Sequence, residues 1–383
     1  MIYNFDELPD RRNTESAKWL YFGADKLPMF VADMDFRSPE PVIRALQERV
    51  AHGVFGYPME PKGLRDAARN WLNARHDWQV GAESLMFVPG VVTGLNVAAQ
   101  GLVNAGEGIL IQPPVYMPFL TIPGHAGATR QDAILVREPD GSYSIDWDAF
   151  EQAILPHTRM FILCNPHNPV GRVFTRAELE RMAEICLRHN LLICSDEIHC
   201  DLVFSGYKHI PIASLDPEVA RRTITLLAPS KTFNIAGLSC SVAVITDPEL
   251  RKRYHHGDRG LVHGVNLLGL VAARAAYQEG AEWLDQLMVY LENNRDWLYD
   301  FANHELPGAS MIQTEGTYLA WIDCREMGIG DKPAEFFKDH ASVIVTEGSA
   351  FGPGGEGFIR LNFGCPRSML VEALEKMRAA VTK

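Results

Sequence analysis

The feature that most constrains this chain is a repeated unit: an apolar strand, a polar residue at its carboxyl end, and then a helix. Phe161–Cys164 is an apolar run that leads into Asn165-Pro166-His167-Asn168-Pro169-Val170-Gly171. Thr175-Arg176-Ala177-Glu178 then makes a capping box, in which each side chain can satisfy a free backbone N–H at a helix start. Leu179, Met182, Ala183 and Cys186 recur at helical spacing, and His189-Asn190 closes the segment. Strand 161–164, helix 176–189 and strand 191–195 form a βαβ unit, which implies parallel strands. The second of these strands ends in Ser195-Asp196-Glu197. Thr223–Leu227 repeats the pattern and ends in Ala228-Pro229-Ser230-Lys231-Thr232-Phe233-Asn234. Taken singly, Lys231 reads as a turn lysine, Asp196 as a helix N-cap and Asn168 as a turn residue. Together they place three polar groups at the carboxyl ends of three strands, where an open α/β sheet binds its ligand.

The flanking segments fit an α/β chain with a different final third. Cys240–Thr246 adds an apolar strand, and Leu64, Ala67, Trp71 and Leu72 mark an earlier amphipathic helix. A long helix is predicted through Trp283, Leu287, Leu291 and Leu298. Beyond it, Tyr318–Asp323, Ser342–Thr346 and Phe358–Phe363 read as short strands, and Ser368 as the cap of a final helix through Leu370, Leu374 and Met377. With 383 residues, 47% of them hydrophobic, the chain can bury a large core in about two domains. A formal charge of −12 argues against nucleic acid or an anionic membrane surface as partner. Seven cysteines form no CxxC pair, which points to reduced thiols. Met1–Trp19 has no apolar signal region and no run of 18 apolar residues exists, so a soluble, cytoplasmic protein is expected.

The order Asn168, Asp196, Lys231, Arg360 resembles the fold-type I pyridoxal 5′-phosphate (PLP) enzymes of the aminotransferase class I/II family. More narrowly, the chain is similar to the cystathionine β-lyase, or C–S lyase, branch. Val31-Ala32-Asp33-Met34-Asp35-Phe36, Cys164 to Val173, Ser195-Asp196-Glu197-Ile198-His199 and Ala228 to Leu238 carry that likeness. The resemblance implies an α/β fold: a large PLP-binding domain over residues 50–283, with a mostly parallel sheet and helices on both faces. It also implies a smaller α+β domain from residues 1–49 and 284–383.

The resemblance further implies roles for single residues. Lys231 would hold PLP as a Schiff base and act as the base at the substrate's Cα, which needs a lysine that is partly neutral. Asp196 would pair with the pyridine nitrogen, and Asn168 would donate to the phenolic oxygen. Tyr116, in Pro113-Pro114-Val115-Tyr116, matches the aromatic that stacks on the ring and is counted with Lys231 as catalytic. Val88-Pro89-Gly90-Val91-Val92-Thr93 reads as a strand end entering a helix, so the N–H groups of Val91 and Val92, with the Ser230 hydroxyl, would hold the phosphate. Ala228 and Ser239 depart from the serine and arginine of many aminotransferases, and Tyr57 of a neighbouring subunit would complete the grip in a homodimer. Arg360, on an alternating strand, would bind the substrate carboxylate through its planar fork. Asn168 is counted with Arg360 as substrate-binding, and His199, counted among the cofactor-binding residues, stands where many aminotransferases carry tyrosine, as is typical of the lyase branch.

The implied activity is cleavage of L-cystathionine or another S-substituted L-cysteine to a thiol, pyruvate and ammonia. The alternatives are an aminotransferase, which shares the same residues, and a non-catalytic regulatory protein on the same fold. The substrate's side chain is expected near Asp33–Phe36, Tyr57 and Ser349–Gly355. Gly352 to Gly357 satisfies GxGxxG but leads into a strand, so no dinucleotide site is expected. His255, His256 and His263 lack Cys or carboxylate neighbours at ligand spacing, so no metal is expected there.

Overall fold

The computed structural model describes residues 1–23 and 25–382. Its main sheet is built from β1 (Leu85–Val88), β2 (Gly108–Ile111), β3 (Thr129–Asp132), β4 (Thr158–Cys164), β5 (Leu192–Asp196), β6 (Thr223–Leu227) and β7 (Ser241–Val244). Their spatial order is β1-β7-β6-β5-β4-β2-β3. β7 runs antiparallel to both neighbours, and every other adjacent pair is parallel. A sheet of this kind is covered on both faces, and its central strands are buried almost throughout.

Alternation along β4 shows how the layers form. Met160, Ile162 and Cys164 join a cluster with Leu95, Ala98 and Ala99 of helix α1 (Val91–Leu102). Phe161 and Leu163 point the other way, into a cluster with Leu179, Met182 and Ala183 of helix α2 (Arg176–Arg188). The period of two along the strand therefore assigns one helix layer to each face. The capping box at Thr175 forms as predicted: Glu178 N donates to Thr175 Oγ1 at 3.3 Å, and Thr175 N donates to Glu178 Oε2 at 2.8 Å.

The C-terminal third carries helix α3 (Ala281–His304), helix α4 (Arg367–Val381), and a small antiparallel sheet. That sheet runs β8 (Leu319–Asp323), β10 (Phe358–Asn362), β9 (Thr346–Glu347) in space. The start of the chain packs here. Leu27–Pro28 pair in parallel with Val343–Ile344, and Phe5 and Trp19 join Leu287, Leu291 and Leu374 in one core. Ser368 is not the cap of α4. Pro366, in an extended conformation that cannot continue a helix backwards, starts it, and its carbonyl accepts from Met369 and Leu370. Among the described residues, no helix is long and apolar enough to cross a membrane.

Parallel register brings the predicted site residues together. Cys164 of β4 pairs with Asp196 of β5, and Asp196 with Leu226 of β6. Asn168 follows the first of these strands, Asp196 ends the second, and Lys231 lies in a helical turn (Pro229–Thr232) after the third.

Candidate active site

At the carboxyl ends of these strands lies a cavity of about 240 Å³ lined by Val91, Val92, Tyr116, Asn168, Asp196, His199, Ser230 and Lys231. Its floor at one end is the start of α1. Gly90 has φ of 111°, which a residue with a Cβ rarely adopts, and this turn aims the helix N-terminus into the cavity. No side chain caps this helix, and the N–H groups of Val91, Val92 and Thr93 have no acceptor among the described residues. Three free N–H groups at a helix start form a ready anion site.

The charged groups are buried. Burial pushes the Asp196 carboxyl up to about 7, with the Glu197 charge adding to this, while the Ile198 N–H at 3.1 Å and Lys231 oppose it. Burial lowers Lys231 to about 8, against the pull of Asp33 and with the Arg360 charge assisting. Lys231 Nζ donates to the Ala32 carbonyl at 2.5 Å, and Tyr318 Oη donates to the same carbonyl at 2.7 Å. Burial, with Lys231 and Arg360 nearby, holds the His199 imidazole well below its ordinary pKa, and its Nδ1 has no partner among the described residues.

Arg360 is 3% exposed and no carboxylate pairs with it among the described residues. Its fork is nevertheless fixed. Nη1 donates to Asn168 Oδ1 at 3.1 Å, Nη2 donates to the Phe30 carbonyl at 2.8 Å, and the guanidinium lies 5.0 Å from the Phe351 ring centroid. Burial lowers its pKa to about 10, which leaves it a cation at neutral pH. A buried arginine without a carboxylate is set to receive one. Holding Asn168 Oδ1 in this way leaves the amide Nδ2 as that residue's donor.

Behind the cavity runs a polar network that the sequence did not reveal. Asp201 accepts from Thr232 Oγ1 at 2.8 Å, from Trp71 Nε1 at 3.0 Å, and lies 2.9 Å from His76 Nε2. The His76 ring meets that of His209 edge-on at 5.4 Å, and His209 Nε2 lies 2.9 Å from Glu197 Oε2. Ser195 Oγ donates to Glu197 Oε1 at 2.8 Å. The network thus touches the chain neighbours of both Lys231 and Asp196. Buried partners so far apart in sequence leave no local pattern that could have announced it.

Two expectations need correction or qualification. Asp33–Phe36, expected near the substrate's side chain, does not line this cavity. Asp35 is buried, with Lys18 Nζ at 2.6 Å, Trp19 Nε1 at 2.8 Å and Arg11 Nη1 at 2.7 Å, and Asp33 is paired with Arg11. Asp33–Phe36 lines a separate hollow with Arg11 and Asn234, and it is the preceding residue, Ala32, that reaches the cavity and offers its carbonyl to Lys231. Tyr57, for its part, is fully exposed and lines a separate surface hollow that meets the cavity only at Pro89.

The residues present fit PLP. The free N–H groups at the start of α1 suit a phosphate, and a buried carboxylate with a raised pKa lacks the cation that a protonated pyridine nitrogen provides. A partly neutral lysine suits an aldehyde, and the Tyr116 ring forms part of the wall.

Comparison with known proteins agrees. Residues 24–377 match the aminotransferase class I and II family. Cystathionine beta-lyase PatB of Bacillus subtilis (strain 168) is 41% identical over 387 residues, covering 99% of this chain and 100% of the relative. The crystal structure of OvoB superposes with a TM-score of 0.95 at 44% identity, covering 100% of both chains. Cystalysin from Treponema denticola, whose crystal structure contains a pyridoxal 5′-phosphate cofactor, superposes with a TM-score of 0.95 at 34% identity, over 100% of this chain and 99% of that one. An apolar α/β sheet with a lysine, a carboxylate and an arginine gathered at its strand ends, and a sequence matched end to end, make this chain a member of the aminotransferase class I and II family, on the branch that holds the cystathionine β-lyases.

Proposed function

We propose that this protein is a PLP-dependent carbon–sulfur β-lyase that cleaves L-cystathionine or other S-substituted L-cysteines to a thiol, pyruvate and ammonia. The observation that carries the reading is the assembled site, Lys231, Asp196, Asn168 and Arg360 around one cavity, in a chain 41% identical throughout to a cystathionine β-lyase. When bound, PLP supplies an electron sink conjugated to Cα of the amino acid.

The chain's own groups do the rest. Arg360 takes the α-carboxylate, in a fork already fixed by Asn168 and Phe30. Lys231, lowered to about 8 by burial, is partly neutral at neutral pH and takes the Cα proton through Nζ. Asp196 keeps the ring nitrogen protonated. The Cβ–S bond breaks with its electron pair going to sulfur, so the thiolate leaves, and the three-carbon fragment hydrolyses to pyruvate and ammonia. Thiolate is a far better leaving group than hydroxide, which favours cysteine derivatives over serine.

The same reading makes the enzyme a cytoplasmic homodimer. Val54, Phe55, Tyr57 and Met59 are all exposed on one irregular segment, a cover for which a second subunit is the natural partner, with Tyr57 reaching the neighbour's phosphate site. All seven cysteines are buried and unpaired, as suits a reducing compartment.

The test uses purified, PLP-loaded protein with L-cystathionine and S-methyl-L-cysteine and no keto acid. Sustained, equal release of pyruvate and thiol is expected. A single turnover that only an added keto acid restarts would make the protein an aminotransferase instead.

A further inference from the structure

A second cavity, about 750 Å³, opens outward from Lys231, Tyr116 and Arg360. One wall is aromatic. Phe22 meets Phe30 edge-on at 5.2 Å and 73°, and Tyr21 meets Phe22 at 4.9 Å and 71°. Tyr21 is 75% and Phe22 43% exposed and both line this space, so their rings present area there that no other described residue covers. Ile344 and Val345 line the facing side. The lysines at the rim are already paired, Lys332 with Glu335 at 3.4 Å and Lys338 with Asp339 at 3.5 Å, while Glu347 accepts from the Ala334 N–H at 3.1 Å through Oε2 and its Oε1 has no partner among the described residues.

We propose that this cavity receives the sulfur substituent of the substrate and favours a ring-bearing substituent over a small alkyl one. The inference rests on the lyase reading. With the α-carboxylate on Arg360 and Cα beside Lys231, the sulfur would lie at the inner end of this space, since bound PLP would occupy the smaller cavity that Asp196 and the start of α1 line. A methyl or ethyl group leaves the rings wet. A flat aromatic group can complete the Phe22–Phe30 edge-to-face cluster and displace water from both. A substituent with its own charge gains less, because the rim lysines are paired and the rings offer no compensation for lost hydration.

The experiment compares thiol release from S-benzyl-L-cysteine and S-ethyl-L-cysteine by the PLP-loaded wild type and its Phe22→Ala and Phe22→Leu variants. The two thiols differ in leaving ability, but that difference belongs to the substrates. It cancels when the benzyl-to-ethyl ratio of kcat/KM in a variant is divided by the same ratio in the wild type. Phe22→Ala is expected to lower the ratio about three- to tenfold, the worth of one aromatic pair, with Phe22→Leu falling between. Turnover of both substrates with the ratio unchanged in both variants would overturn the inference while leaving the lyase reading intact. No pyruvate from either substrate in the wild type would remove the lyase reading, and this inference with it.

Discussion

Arg360 Nη1 stands 3.1 Å from Asn168 Oδ1, which ties the small C-terminal sheet to the loop that follows β4. The contact joins the group proposed to hold the substrate carboxylate to one proposed to touch the cofactor. Arg360 reaches it from the middle of β10, where Trp321 and Thr346 flank it in the neighbouring strands. Lysine at this position keeps the charge but loses the fork, so it cannot serve Asn168, the Phe30 carbonyl and a carboxylate together. Arg360→Lys should therefore raise KM about 10- to 100-fold, as expected for loss of a charged hydrogen bond, with a smaller change in kcat. Steady-state kinetics on S-methyl-L-cysteine decide this, and an unchanged KM would mean that the carboxylate binds elsewhere.

Much of this arrangement was legible in the sequence because it is local. Asn168, Asp196 and Lys231 each follow an apolar run, and parallel register does the rest. The capping box at Thr175 was legible for the same reason. The start of α4 was misread because a serine near a helix start is a strong signal, whereas Pro366 two residues earlier acts through backbone geometry. Asp201 and Tyr318 were invisible. Their partners, Trp71 and His76 for one and Ala32 for the other, lie far away in the chain and meet only after folding.

Lys231 is given two tasks, holding the cofactor and moving the Cα proton, and among the described residues no other lysine lines the inner cavity. Lys231→Ala should lower turnover at least about 10³-fold and abolish the visible band of the lysine-linked cofactor. Retention of the band would show that a different amine carries it.

Asp196 costs the cofactor-free protein stability at neutral and alkaline pH. Its pKa is about 7 in the folded chain against an ordinary 3.8, so between these values the folded state holds a proton that the unfolded state has lost. Stability from this group is therefore fully present below pH 3.8 and lost as pH rises through about 7, a difference on the order of 4 kcal/mol at most. Asp196→Asn removes the titration. Denaturant unfolding of the cofactor-free proteins should find the variant's advantage over wild type larger near pH 8 than near pH 4. An equal difference at both values would show that the carboxylate ionises freely in the folded protein.

The hydrogen bond from Thr232 to Asp201 fixes the residue next to Lys231 from behind. Burial pushes the Asp201 carboxyl up, but His76, Thr232 and Trp71 together outweigh this and hold it below the ordinary range. Asp201→Ala leaves three buried groups without an acceptor and should destabilise the protein by about 3 kcal/mol or more. Thr232→Val is the sharper probe, since it keeps the shape and removes one donor. It should cost only about 1 kcal/mol in unfolding experiments. If the link positions Lys231, Thr232→Val will also shift the pH at which the visible band of the bound cofactor titrates and lower kcat more than it raises KM, and Thr232→Ser will restore both. A variant that loses stability but keeps the wild-type titration and kcat would reduce the network to a structural support.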